Sequence, residues 1–404
     1  MKSLKVIMAR TSNTIISLVS LLLCSCCKMQ YEQGSLQPEW SAVIPTYESA
    51  EIFCNGILNF PKSGDIMVVP TTIYDGGIRW EDNRLCGMDV NTGEVKWYFP
   101  SDIENRRYSD FDAMGYEYQG KVVFQYETNH NESYRLRSTV CLDVQSGEAL
   151  WEKEGTNLSV TISPVVGKDD ECYFIQDSCK ICKVDMQSNQ ISELYYTGDD
   201  ELFINDIRLY DGRMVVSCCS DSTVEECKWE DYVVIIDVKT GQELLKKYLG
   251  RKSVVSFSFL ENDILYSNVD RTMMAIDVKT GETIWERYDM CAYACQDVLF
   301  YNDVLMKCAV NATIGYDKKT GEVKYLFDNY GSECVTQEGK YAYFINRKGK
   351  LDILDIETGT KLDYVVCPEK GFSDFRMPYP TIYDDKLYII GNNTLYRYPT
   401  YPWR

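Results

Sequence analysis

The chain has 404 residues, of which 45% are hydrophobic, so it has enough apolar side chains for a large core. Its formal net charge of −19 argues against nucleic acid as a partner, because phosphate binding requires a basic surface. His130 is the single histidine, so a Ser/His or Cys/His site has no choice of candidates, and neither a glycine-rich phosphate loop nor a zinc-protease motif is present.

The first 25 residues have the features of an export signal. A basic start is followed by an apolar run, residues 14–23, that is too short to span a bilayer comfortably. The run ends in Leu23-Cys24-Ser25-Cys26, which resembles a bacterial lipobox with Cys26 as the acylated residue, although Cys24 departs from the usual pattern. An ordinary secretory signal cut nearby is the alternative. The sequence therefore predicts a lipoprotein signal peptide at 1–25, a lipidated tether at 26–38 and a folded domain at 39–404.

One turn motif then recurs down the chain, and residues 275–285 show it most clearly as Ala-Ile-Asp-Val-Lys-Thr-Gly-Glu-Thr-Ile-Trp. The aspartate is expected to accept backbone N–H groups of the turn, and the glycine to supply its φ > 0 conformation. The six good copies have their structural turn residues at Asp89 and Gly93, Asp143 and Gly147, Asp237 and Gly241, Asp277 and Gly281, Asp317 and Gly321, and Asp355 and Gly359. A seventh copy at Asp185 has Asn189 in place of the glycine.

The spacing of these turns predicts the fold. The seven aspartates are 54, 42, 52, 40, 40 and 38 residues apart, and a period near 40 with β patterns indicates a propeller. After Asp355 remain three strands of a last blade, and residues 39–44 can supply its fourth, which removes the exposed edges of an open array. We therefore predict an all-β, eight-bladed β-propeller of four-stranded antiparallel blades, closed by an N-terminal strand, with seven blades as the alternative.

Asp-x-x-Thr-Gly-x-x-x-Trp after an apolar strand resembles the repeat of quinoprotein-type (PQQ-like) β-propellers, over essentially the whole mature chain. That family includes dehydrogenases and proteins that bind no quinone. Its enzymes use a calcium ion, an aspartate base and a flat aromatic residue under the cofactor, and none of these can be assigned to a residue here. The long insertions that form their cofactor chamber are also lacking. The resemblance thus implies the non-enzymatic bacterial lipoprotein branch, similar in plan to the lipoprotein subunit of the outer-membrane β-barrel assembly machinery.

The 17 cysteines are unusual for an exported protein. Cys86, Cys141 and Cys182 fall in predicted third strands, where a role as small buried hydrophobes accounts for them. Cys179 and Cys182 form a C-x-x-C pair without a second ligand pair, so no metal site is predicted. A vicinal pair such as Cys218-Cys219 also occurs in some quinoprotein dehydrogenases, but chance adjacency explains it here.

Three insertions lengthen the units of blades one, two and four, between the second and third strands: Asp75–Arg84, Glu127–Arg137 and Ser220–Asp231. Because strands alternate in direction, we expect all three loops on one face, opposite the aspartate turns. Long loops on a rigid scaffold often bind partners, and Trp, Tyr and Arg are typical of hot spots. The candidate binding residues are Trp80, Glu81, Asp82, His130, Tyr134, Arg135, Arg137, Glu225, Glu226, Trp229 and Glu230. Merely tolerated surface extensions are the alternative.

Together these features predict a propeller in the bacterial cell envelope, lipid-anchored at the outer membrane. It is expected to bind another envelope protein or to act as a scaffold, without catalysis, metal or cofactor. Two alternatives stay open: a quinone- and calcium-dependent oxidoreductase, and a glycan-binding surface protein.

Overall fold

The computed structural model describes residues 38–43, 51–53, 64–75, 79–100, 108–111, 115–131, 134–154, 165–199, 202–221, 229–250, 255–269, 271–289, 295–309, 312–328, 335–345, 350–366, 380–391 and 394–402. All regular elements in this part of the chain are β-strands, and it contains no helix with the length and apolarity needed to cross a membrane. The predicted signal peptide with Cys26, and the candidate residues Glu225 and Glu226, lie outside the described residues.

The strands are, in chain order, β1 (Trp40–Val43), β2 (Glu51–Phe53), β3 (Ile66–Asp75), β4 (Arg79–Asp89), β5 (Val95–Phe99), β6 (Tyr108–Phe111), β7 (Tyr116–Tyr118), β8 (Lys121–Asn131), β9 (Tyr134–Asp143), β10 (Ala149–Glu154), β11 (Val166–Lys168), β12 (Glu171–Gln176), β13 (Lys180–Asp185), β14 (Gln190–Tyr196), β15 (Leu202–Tyr210), β16 (Arg213–Asp221), β17 (Trp229–Asp237), β18 (Glu243–Gly250), β19 (Val255–Glu261), β20 (Ile264–Val269), β21 (Thr272–Asp277), β22 (Thr283–Tyr288), β23 (Cys295–Tyr301), β24 (Val304–Ala309), β25 (Ala312–Asp317), β26 (Val323–Asp328), β27 (Val335–Glu338), β28 (Tyr341–Ile345), β29 (Lys350–Asp355), β30 (Lys361–Val366), β31 (Thr381–Tyr383), β32 (Lys386–Gly391) and β33 (Thr394–Pro399).

These strands form the eight antiparallel sheets of an eight-bladed β-propeller, as the repeat predicted. Blade 1 contains β2 to β5, blade 2 β6 to β10, blade 3 β11 to β14, blade 4 β15 to β18, blade 5 β19 to β22, blade 6 β23 to β26, blade 7 β27 to β30, and blade 8 β31 to β33 with β1. In blade 2 both β6 and β7 pair with β8, so they share the place of a first strand. First strands of neighbouring blades contact one another, as β15 and β19 do, so the first strands surround the axis and the fourth strands form the circumference.

The core lies between the blades. The described residues form eight apolar clusters, one for each pair of neighbouring blades, including the pair of blades 8 and 1. Middle strands are therefore covered on both faces, and β24 is buried along its whole length. Fourth strands are covered on one face only, so in β18 Leu244, Lys246 and Tyr248 are exposed while the residues between them are partly buried. This difference explains why exposure alternates along an outer strand such as β18 but not along a middle strand such as β24.

The N-terminal strand closes the ring, which confirms the predicted closure. In β1, Trp40 pairs with Arg397 and Val43 with Thr394. Just before this strand, the Glu39 carboxylate forms ion pairs with Lys386 at 2.5 Å and with Arg397 at 3.1 Å. The Arg397 guanidinium also donates to the Val90 carbonyl in the first aspartate turn, at 3.2 Å. One arginine therefore connects the closing strand, the last blade and the first blade.

The aspartate turns and the first-to-second hairpins occupy the same face of the ring, which we call the aspartate-turn face. A backbone hydrogen bond from the residue after the turn aspartate to the first-to-second hairpin fixes this arrangement and recurs in the blades. In blade 5 the Val278 N–H donates to the Asp263 carbonyl at 2.9 Å. Second-to-third hairpins lie on the opposite face, which we call the hairpin face.

The inserted segments of blades 1 and 2 are paired strand rather than loop for most of their length, so for these two the loop prediction is wrong, and the described ends of the blade 4 segment, residues 220–221 and 229–231, are paired strand as well. Strands β3 and β4 pair out to Asp75 and Arg79, β8 and β9 to Asn131 and Tyr134, and β16 and β17 to Asp221 and Trp229. These strands have nine to eleven residues, whereas the second and third strands of blades 5 to 7 have five or six. Continued pairing satisfies backbone N–H and C=O groups that a long polar loop would leave to water, which is why the insertions extend the blades as hairpins.

Candidate binding surface

Each aspartate of the seven turns caps its own turn. In blade 5 the Asp277 Oδ1 atom accepts the backbone N–H groups of Lys279 and Thr280 at 2.8 and 2.9 Å, while the Gly281 N–H donates to the Asp277 carbonyl at 2.8 Å. The hydrogen bond from Thr280 is the main cause that holds the pKa of Asp277 below its ordinary value. The same two side-chain contacts occur at the other six aspartates. These aspartates are therefore committed to the backbone.

In blades 1, 5 and 6 the aromatic residue that ends the motif joins its own blade to the aspartate turn of the next blade. Trp285 of blade 5 donates its indole N–H to the Lys318 carbonyl in the turn of blade 6, at 2.8 Å. The ring lies against Gly321, where an added Cβ would come within 2.6 Å of it. Gly321 is thus required twice, once by its φ of +69° and once by the ring beside it. Trp97 makes the same contacts with Val144 and Gly147.

The turn at Asp185 in blade 3, which lacks the glycine, is joined to blade 2 in a different way. Lys121 of blade 2 donates to the Met186 carbonyl at 2.7 Å and to the Asn189 side-chain oxygen at 2.9 Å. Asn189 adopts a φ of +58°, which asparagine tolerates better than most residues, and its side chain provides the acceptor. The substitution that weakened the motif in the sequence therefore creates a polar contact between blades.

The candidate binding residues that the structure describes lie on the three long hairpins. Their places are Trp80, Glu81 and Asp82 in β4, His130 in β8, Tyr134, Arg135 and Arg137 in β9, and Trp229 and Glu230 in β17. Strand β4 of blade 1 contacts β6, and β6 pairs with the outer half of β8, so the hairpins of blades 1 and 2 are connected. The blade 4 hairpin is two blades further along the ring, beyond blade 3. The structure therefore brings two of the three segments together and leaves the third apart.

At the base of the blade 4 hairpin the structure adds residues that the sequence did not single out. Tyr232 lies directly across from Tyr248 of the outer strand, with their ring centroids 5.3 Å apart. The Tyr232 hydroxyl donates to the Glu230 carboxylate at 3.1 Å, and partial burial together with this acceptor raises the pKa of Tyr232. Only the cross-strand register reveals this pair, because the two tyrosines are far apart in the chain.

The cysteines have structural positions. Cys218 and Cys219 are consecutive in β16, so their side chains point to opposite faces of the sheet, and no disulfide joins them. Cys218 packs between blades 3 and 4 against residues such as Ile204 and Val216. This vicinal pair therefore does not fit a stacking partner for a quinone. Burial raises the pKa of the Cys86 thiol to about 12, as expected for a cysteine in an apolar core. Within the described ranges, no group of His, Cys, Asp and Glu residues is arranged to hold a metal ion.

A family model described as outer membrane protein assembly factor BamB matches residues 118–287 and 229–396. The chain belongs to this family of PQQ-like β-propeller repeats. Among curated proteins no match is found.

Solved structures share the fold at low sequence identity. The computationally designed Ika8 protein is 16% identical with a TM-score of 0.60, covering 91% of this chain and 100% of its own. BamB from Moraxella catarrhalis is 14% identical with a TM-score of 0.56, covering 91% and 99%. A europium-containing methanol dehydrogenase is 12% identical with a TM-score of 0.57, covering 88% and 84%. A designed protein, an assembly factor and an enzyme thus share one architecture, so the fold by itself does not assign an activity.

Proposed function

We propose that this protein is a lipid-anchored propeller of the bacterial envelope that binds another envelope protein through its hairpin face and has no catalytic activity. The observation that carries the proposal is the unequal length of the hairpins. Those of blades 1, 2 and 4 extend as paired strands well beyond the five- or six-residue strands of blades 5 to 7. The family's description as an assembly factor for outer membrane proteins supports a role in protein interaction.

Paired hairpins suit this role physically. In their described parts the backbone groups are hydrogen-bonded across the two strands, so the shape of these parts is fixed before a partner arrives and less conformational entropy is lost on binding. Their sequences combine Trp80, Tyr134 and Trp229 with arginine and acidic residues, a composition typical of binding hot spots.

The position of the chain start supports the choice of face. Glu39 lies beside Arg397, which contacts the aspartate turn of blade 1, so β1 begins at the aspartate-turn face. A tether formed by residues 26–38 would leave the ring from that face. An anchored protein would then present its hairpin face away from the lipid, where a partner can reach it.

The test is capture of the native partner from detergent-solubilised membranes by the tagged full-length protein. Trp80→Ala, Tyr134→Ala and Trp229→Ala should each weaken capture by about 1 kcal/mol or more, roughly fivefold, if they are hot spots. Lys279→Ala and Lys319→Ala on the aspartate-turn face are the matched controls and should leave capture nearly unchanged. If the lysine variants weaken capture while the aromatic variants do not, the binding face is the opposite one.

An oxidoreductase is the competing function, and the fold similarity to the europium-containing methanol dehydrogenase is the observation behind it. Titration of the purified protein with the quinone and calcium separates the two. Tight quinone binding together with dye-linked alcohol oxidation would replace the binding function by an enzymatic one.

A further inference from the structure

The circumference of the ring carries an arc of exposed apolar side chains. In the part of the chain that the structure describes, every exposed large hydrophobic residue lies on a fourth strand of blades 2 to 6: Leu150, Tyr196, Leu244, Tyr248, Ile284, Tyr288, Val323 and Leu326. Exposed apolar residues that cluster on edge strands indicate a surface that another chain covers.

Blades 4 and 5 repeat one pattern within this arc. Leu244, Lys246 and Tyr248 of β18 follow the turn aspartate by seven, nine and eleven residues, and Ile284, Glu286 and Tyr288 of β22 follow theirs by the same intervals. The four apolar side chains are 44%, 48%, 48% and 62% exposed, in chain order. Residues between them are held by the next blade, since Trp285 and Arg287 donate to the turn of blade 6 and Lys247 donates to the Gly281 carbonyl in the turn of blade 5. The two stripes are therefore rigid and lie at the same height on neighbouring blades.

Both stripes have an aliphatic residue first and a tyrosine last, but the central charge is positive at Lys246 and negative at Glu286. A two-fold axis parallel to the ring axis, at the circumference between blades 4 and 5, preserves height and exchanges the two blades. It would place Leu244 opposite Ile284, Lys246 opposite Glu286, and Tyr248 opposite Tyr288 of a second copy. Because the axis is two-fold, each of these contacts would occur twice in the interface. We propose that these two stripes form the interface of a homodimer with this symmetry.

Two features favour a second copy over an unrelated partner. The first is this self-complementarity, because a protein with a net charge of −19 repels its own copies unless opposite charges meet locally. The second rests on the proposed lipid anchor. A two-fold axis parallel to the ring axis keeps both aspartate-turn faces on one side, so both tethers enter one membrane and both hairpin faces stay open.

The experiment measures the protein mass of the full-length chain in detergent, by size-exclusion chromatography with light scattering over a dilution series. The wild type should be a dimer. Lys246→Glu and Glu286→Lys should each weaken dimerisation about tenfold or more, because like charges then face each other. The double variant Lys246→Glu/Glu286→Lys should recover the wild-type dimerisation constant, since it restores both pairs. Tyr248→Ser with Tyr288→Ser should give a monomer.

Two controls separate the interface from general effects. Lys239 lies on the aspartate-turn face, and Lys239→Glu changes the net charge by the same amount as Lys246→Glu. Tyr196→Ser removes the tyrosine of blade 3 that is equivalent to Tyr248 and Tyr288. Both should leave the dimer intact, and all variants should stay folded, as judged by circular dichroism. A wild type that is monomeric at every concentration overturns the proposal. So does a dimer that both single charge variants leave unchanged, because another surface then holds it. These outcomes do not depend on capture of an envelope partner, so this proposal and the proposed function can fail separately.

Discussion

Two turn glycines with nearly the same conformation should respond very differently to alanine. Gly281 has a φ of +72° and Gly321 a φ of +69°. The backbone strain that an alanine Cβ would cause in this left-handed conformation is therefore similar at the two positions and costs about 1–2 kcal/mol at each. Around Gly281 the nearest atom to an added Cβ is Leu245 Cδ1 at 3.5 Å, an ordinary contact. Around Gly321 it is the Trp285 ring at 2.6 Å, which must move. Overpacking of this kind costs a further 1–3 kcal/mol, roughly.

The measurement is urea-induced unfolding of the wild type, Gly281→Ala, Gly321→Ala, Trp285→Ala and the double variant Trp285→Ala/Gly321→Ala. Gly321→Ala should lower the free energy of unfolding by about 2–5 kcal/mol and Gly281→Ala by about 1–2 kcal/mol. Trp285→Ala alone should cost about 3–5 kcal/mol, because a buried ring and its hydrogen bond are lost. In the Trp285→Ala background, Gly321→Ala should cost only as much as Gly281→Ala does in the wild type. Equal losses for the two glycine variants in the wild-type background would refute the reasoning.

Three further predictions concern the anchor, the ring closure and the aspartate turns. Cys26→Ala should move the protein from the membrane to a soluble exported fraction; an unchanged membrane fraction with no lipid on residue 26 by mass spectrometry would contradict this. Deletion of residues 36–45 removes β1 and the Glu39 ion pairs, so unfolding should become easier by several kcal/mol, at about 1.5–3 kcal/mol per apolar side chain, and aggregation through the open edge should increase. A truncated protein with the wild-type melting temperature and assembly state would show that closure contributes little. The lowered pKa of Asp277 means that its capping contribution is complete above its unfolded pKa of 3.8 and is lost as the pH falls through the folded value, so Asp277→Asn should flatten the acid dependence of stability below that pH.

The candidate site was only partly accessible from the sequence. Trp80, Tyr134 and Trp229 stand out because the repeat spacing exposes the insertions that contain them, but spacing cannot show whether an insertion is a loop or a longer hairpin. That choice depends on cross-strand pairing over the whole insertion, as between Asp75 and Arg79. The same limit hid Tyr232 and Tyr248, which become neighbours only when β17 and β18 pair in register.

What the sequence determined by itself is local or periodic. The turn at Asp277 follows from residues within four positions of one another, the number of blades from the repeat, and the closure by β1 from one missing strand. What only the tertiary structure decided is which surfaces meet between blades. The contact of Trp285 with Gly321 and the burial of Cys218 between two blades both depend on how neighbouring sheets are placed. The physical reason is that each blade is specified by short-range alternation and turn chemistry, whereas the packing between blades joins side chains about one repeat apart, whose pairing the alternation does not encode.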